Sequence, residues 1–247
     1  TNLGFPASTG NNYWVDWEAY SVGVYFSHPS DPLVAVQHPS GWGRPAGTIN
    51  LHLPAGVSGA AGDDGSILIV DGNTVYDMWQ FVRHGTNSAS CDSVGFTDVV
   101  NGTGWAQKSP PLGSGITSVG ASHLAGLLVQ SETDAGEIQH ALELSVEETF
   151  LKPGQVGEAI HNDGQYPDGK LYEGQRLGIP RGSSMPSGLS PLGQKVFRAF
   201  QTYGAYAVDG STGSTTLKAQ SNAYNEATID ALRKDMQKMG PMLQAVG

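Results

Sequence analysis

The chain has 247 residues and a formal net charge of −10, with 13 Lys+Arg against 23 Asp+Glu, and it holds 34 Gly and 14 Pro. That length buries one sizeable core, so a single domain over residues 1–247 is expected. Few and scattered basic residues argue against a nucleic-acid partner, which needs a clustered cationic face, while abundant Gly and Pro with only 15% charged residues argue for a strand-rich globule over a helical bundle.

Residues 1–12 read as an arm or first loop. From Tyr13 to Phe26 the aromatic and β-branched run YWVDWEAYSVGVYF predicts one long strand, or two joined at a bulge near Gly23. A short strand follows over Leu33 to Val36, and Thr48 to Leu53 alternates with Ile49, Leu51 and Leu53 on one face. Ser66 to Asp71 and Thr74 to Val82 flank Gly72-Asn73, a hairpin turn that sets Leu68 opposite Asp77 and Ser66 opposite Trp79. Asp77 and Trp79 then share a sheet face.

His84 to Ala125 is irregular and reads as functional loops, with Trp105 inside them. Glu137 to Val146 alternates again, with Ile138, His140, Leu142, Leu144 and Val146 on one face. Val156 to Pro186 reads mostly as loop. Ser190-Pro191 signals a helix start, giving a helix at about 190–203, and a second helix is expected at about 225–239 with Gly240 as its stop. Between them lie a short strand, Ala205 to Asp209, and a flexible turn, Gly210 to Thr216. The fold expected is mainly β: an antiparallel β-sandwich with two C-terminal helices.

Cys91 is the only cysteine, so no intrachain disulfide forms and no Cys-rich metal site exists. No apolar run is long enough to span a membrane. The chain opens on Thr1 in place of Met; a signal peptide already removed accounts for this, as trimming would, and the expected location is secreted or periplasmic. The motifs of serine hydrolases, P-loop proteins, zincins and dinucleotide-binding proteins are absent, and the seven histidines show no metal-binding spacing. No cofactor is expected beyond a structural Ca²⁺, for which the turns Asp63-Asp64-Gly65 and Asp163 to Asp168 offer oxygen ligands. Asn101-Gly102-Thr103 matches the N-glycosylation pattern by its three residues alone.

What remains is a population of aromatics beside carboxylates. Flat rings stack on the C–H faces of sugars, and acidic and amide groups accept from sugar hydroxyls; the same residues would also serve as core filling and as a solvated surface. Asp77 stands out because an acid on an otherwise apolar face must be hydrogen-bonded or lie in a polar cleft. Glu132 lies in the loop leading into the Glu137 strand, and His140 among that strand's apolar positions becomes an acid/base, or orients a carboxylate, if its face is concave.

Gly126-Leu127-Leu128, Glu132, Gly136, Ile138 and His140-Ala141-Leu142, together with Tyr203-Gly204 and Val208-Asp209-Gly210-Ser211, resemble segments of secreted bacterial carbohydrate-active proteins of β-jelly-roll, concanavalin-like type. The resemblance implies a jelly-roll sandwich and one site shared by Glu132, His140 and Asp209. Gln139-His140 is also similar to the Gln-x-His strand of jelly-roll alginate lyases, although its spacing differs by one residue.

The expected function is hydrolysis of a glycosidic bond in a polysaccharide or oligosaccharide by two carboxylates, Asp77 and Glu132, supported by His140 and Asp209. Trp79, Trp105, Trp17 and Tyr203 are the candidate sugar-binding aromatics. The competing expectations are a polysaccharide lyase and a non-catalytic carbohydrate-binding module. No membrane partner is expected.

Overall fold

The computed structural model describes residues 13–246. Residues 1–12, read above as an arm, lie outside the described residues. The protein is mainly β, with 36% of residues in strands against 18% in helices, and its strands fall into several sheets. In chain order the first strands are β1 Tyr13–Asp16, β2 Val22–Phe26, β3 Leu33–His38, β4 Gly47–His52, β5 Ser66–Asp71, β6 Thr74–Trp79, β7 Val82–Arg83, β8 Ser88–Ser90 and β9 Ser93–Asp98. After the small hairpin of β10 Gln107–Lys108 and β11 Pro111–Leu112 come a short helix α1 Gln130–Ala135, β12 Leu142–Glu147, β13 Leu151–Gln155, β14 Leu171–Glu173 and β15 Arg176–Gly178. Helix α2 Pro191–Thr202, β16 Ala205–Ser211, β17 Thr215–Lys218, helix α3 Glu226–Met239 and β18 Gln244–Ala245 complete the order.

Two four-stranded sheets, β2-β5-β6-β9 and β4-β3-β8-β7, share one apolar core. Val34, Val36 and Leu51 from one sheet meet Ile67, Ile69, Met78 and Val94 from the other, all buried. Each such side chain contributes on the order of 1.5–3 kcal/mol by leaving water. The β5–β6 hairpin has the expected register, with Leu68 opposite Asp77. Gly72 takes the first turn position with φ of 58°, a conformation that a Cβ would strain.

The third sheet has the order β1-β17-β12-β16-β15-β18. One face, carrying Tyr13, Val15, Leu142, Leu144, Val146 and Leu217, packs against Val196, Phe197 and Phe200 of α2 and Ile229, Leu232 and Met236 of α3. Ser190 and Asn225 cap the two helices, each side chain accepting a backbone N–H of the first turn.

Several predicted elements differ from those observed. The Tyr13 to Phe26 run is two strands in two different sheets, because Trp17 to Ser21 carry the chain from β1, beside β17, to β2, beside β5. The Glu137 strand begins only at Leu142, since the Glu132 carboxylate accepts the Gln139 N–H and holds the preceding residues in a turn; His140 therefore has no strand face. Glu132 itself lies in α1, not in a loop. Ser- and Gly-containing β9, read as loop, is held as a strand by its ladder to β6. The supposed flexible turn after Asp209 gives way to β17, held between β1 and β12. Strand pairing is mixed: β1–β17, β2–β5, β3–β8, β12–β16 and β13–β14 are parallel, the other pairs antiparallel.

Candidate functional site

Alternation along the six-stranded sheet puts Trp14 and Asp16, Glu143 and Ser145, and Thr216 and Lys218 on the face away from the helices. Asp16 pairs directly with Lys218, and Thr216 with both Trp14 and Ser145. Asp209 would alternate onto the helix face with Ala205 and Ala207. Instead the register shifts between Leu144 and Ser145, so Leu144 pairs with Ala207 but Ser145 with Asp209, and Val208 is the extra residue. This bulge turns Asp209 onto the polar face.

Opposite that face stands the turn before β5. The Asp64 Oδ2 lies 4.0 Å from the Lys218 Nζ, and the Trp79 indole N–H donates to Asp64 Oδ1 at 3.2 Å. Asp64, Asp209 and Lys218 line two adjoining cavities of about 500 and 340 Å³. The larger adds Asp16, Tyr20, Ser145, Ser211, Thr212, Ser214 and Thr216; the smaller adds Trp42, Trp79, Asp92, Ile116 and His123 among others. We treat the two as lobes of one cleft that meet at the acid pair.

His123 begins a single 3-10 turn, His123–Ala125. Two close backbone approaches place it. A Cβ on Gly95, opposite Asp77 in the ladder, would run into the Gly115 backbone, and one on Gly126 would collide with Glu143. With both glycines the chain settles between β6 and β12, where Asp77 Oδ2 accepts the His123 backbone N–H at 2.7 Å and the Glu143 carboxylate accepts from Nδ1 at 2.9 and 3.1 Å. With Nδ1 turned to Glu143, the ring's Nε2 has no hydrogen-bond partner among the described residues.

Electrostatics follow from this crowding. Burial pushes the carboxyl groups of Asp16, Asp77 and Asp209 up to about 6, against the pull of Lys218 on Asp16 and Asp209 and of His123 on Asp77. Burial opposes the charge on Lys218, yet Asp209, Glu143, Asp64 and Asp16 outweigh it and raise its pKa; for His123, Glu143 and Asp77 likewise outweigh burial. Beside the cleft, Asp163, Glu173 and Asp209 each place a carboxylate oxygen within 4.8 Å of the others. Glu173 is fully buried, accepts from the Ser118 hydroxyl and the Asp163 N–H, and is pushed by burial to about 8.

Of the residues singled out from sequence, Asp209 and Trp79 line the cleft. Asp77 sits behind His123, fully buried. Glu132 and His140 pair with each other at 2.9 Å, and no hydrogen bond or ion pair joins Glu132 to Asp77 among the described residues. His140 and Trp105 line a separate groove of about 220 Å³, where Trp105 meets Tyr206 edge-on at 4.9 Å. Trp17 packs against the helix core, and Tyr203 caps the C-terminus of α2. Asp64 figured in the sequence only within an oxygen-rich turn, as a candidate Ca²⁺ ligand, and not as a catalytic acid. Lys218, His123, Glu143 and Trp42 were not singled out; alternation through Thr216, Leu217 and Lys218 was the signal available for the lysine.

No known protein family, no curated protein and no solved structure matches the chain.

Proposed function

We propose that the protein is a glycoside hydrolase acting on a polysaccharide or oligosaccharide, with Asp209 as general acid and Asp64 as its partner carboxylate. The observation that carries this reading is that both acids line both lobes of one cleft, with tryptophan rings on one side and hydroxyls on the other. A carboxyl group raised to about 6 keeps a proton in mildly acidic solution, as a leaving-group oxygen requires. Lys218 and the bonded Trp79 indole fix the direction of Asp64. His123, held by Glu143 and Asp77, closes the wall beside them.

The jelly-roll relationship belongs to this proposal. The shared core of the two four-stranded sheets supports a sandwich, and an export route suits a polymer too large to enter a cell.

Asp209→Asn and Asp64→Asn test the reading. Each should keep the fold, by circular dichroism, and lower turnover about 10²–10⁴-fold on a cleaved glycan. Wild-type activity should decline as pH rises through about 6, where Asp209 loses its proton. Full turnover in either amide variant removes that residue from the mechanism.

A further inference from the structure

The charges facing the cleft are unevenly matched. Asp16, Asp64, Asp92 and Asp209 line it, against one amine, Lys218, and one imidazole, His123. Neither cation is spare: His123 is bonded to Glu143 at 2.9 Å, and Lys218, only 5% exposed, interacts with Asp209, Glu143, Asp64 and Asp16. No arginine lines either lobe. Asp209 acts as a protonated acid, so what excludes an acidic group is chiefly the want of a cation: a carboxylate or sulfate entering here would lose its water and find both Lys218 and His123 already engaged.

The rest of the lining suits uncharged sugar. In one lobe Trp42, Trp79 and Ile116 offer apolar surface for a ring face. In the other, five serine and threonine hydroxyls gather, and the Ser145 Oγ is buried with no hydrogen-bond partner among the described residues. A buried hydroxyl without a partner is costly unless a ligand supplies one. Sugar hydroxyls both donate and accept, so they satisfy serine, threonine and carboxylate alike.

We infer, resting on the proposed hydrolase activity, that the substrate is a glycan free of acidic groups that passes through both lobes, with the bond to be cleaved above Asp64 and Asp209. One sugar lies against the tryptophans and its neighbour among the hydroxyls of Ser145, Ser211, Thr212, Ser214 and Thr216.

The test uses matched polysaccharide pairs, each a neutral polymer and its acidic counterpart: cello-oligosaccharides with carboxymethylcellulose, plain xylan with glucuronoxylan, and carboxyl-reduced with native polygalacturonate and alginate. Reducing ends are measured for every member, and ultraviolet absorbance reports any unsaturated uronate. In whichever pair is cleaved, the neutral member should react about tenfold faster or more, and added salt should narrow the gap by screening. Ser145→Ala should raise KM on the neutral member with turnover little changed. Equal or faster cleavage of the acidic member, or an unsaturated product, overturns this inference while leaving a carbohydrate-cleaving site in place. No cleavage of any member removes the hydrolase reading, and this inference with it.

Discussion

The interior of the paired four-stranded sheets and the polar face of the six-stranded sheet are built by the same alternation, but they are filled in opposite ways. Between the two four-stranded sheets, Val34, Val36, Leu51, Ile67, Ile69 and Met78 close on one another. On the polar face, Asp16, Glu143, Ser145, Asp209 and Lys218 crowd together, and the carboxyl groups of Asp16 and Asp209 are driven above their ordinary range. Replacing such buried ions with apolar residues is often neutral or stabilising, so their presence is an outlay on chemistry rather than on stability. The two regions should therefore fail differently.

The largest contrast lies in rescue. Lys218→Met strands several carboxylates around a missing cation and should cost about 3–5 kcal/mol in urea unfolding, with a second change, Asp64→Asn or Asp16→Asn, restoring part of it. Ile67→Ala should cost about 2–5 kcal/mol through its cavity, and neither amide change should restore any of that. Additive losses in both backgrounds would erase the distinction.

A smaller effect separates the regions by pH. Asp16, Asp77 and Asp209 are raised to about 6 and Glu173 to about 8, so the folded chain binds protons more tightly than the unfolded chain. Stability should fall as pH climbs from the ordinary carboxylate range towards about 8, and the raised pKa of His123 acts in the same direction, while that of Lys218 acts only above the ordinary lysine range. Denaturant midpoints that rise over this interval would contradict the crowding argument.

The smallest expected effect concerns Trp105, which meets Tyr206 outside the cleft. Losing their edge-on contact should cost about 0.5–1.5 kcal/mol beyond the area lost. Trp105→Ala should thus lower the melting temperature and leave KM unchanged; a raised KM with full stability would make its groove part of the substrate path.

Local signals in the chain were sufficient for the β5–β6 hairpin, where Gly72-Asn73 dictates which residues face each other, and for α2 and α3, where Ser190-Pro191 and Asn225 announce the first turns. They also marked Asp77 as an acid on an apolar face in need of a hydrogen bond, which the His123 N–H supplies. Such features depend on neighbours a few residues away. Asp209 drew notice through the resemblance of its segment, yet alternation alone sends it into the helix core, and only the Val208 bulge, set by pairing with β12, turns it outward. Asp64 and Lys218 meet across two sheets from distant parts of the chain. A polar residue at every second strand position looks the same in sequence whether its face meets solvent or closes a cleft, because period-two alternation records burial on one side and says nothing of what stacks against the other. That choice belongs to the packing of sheet on sheet.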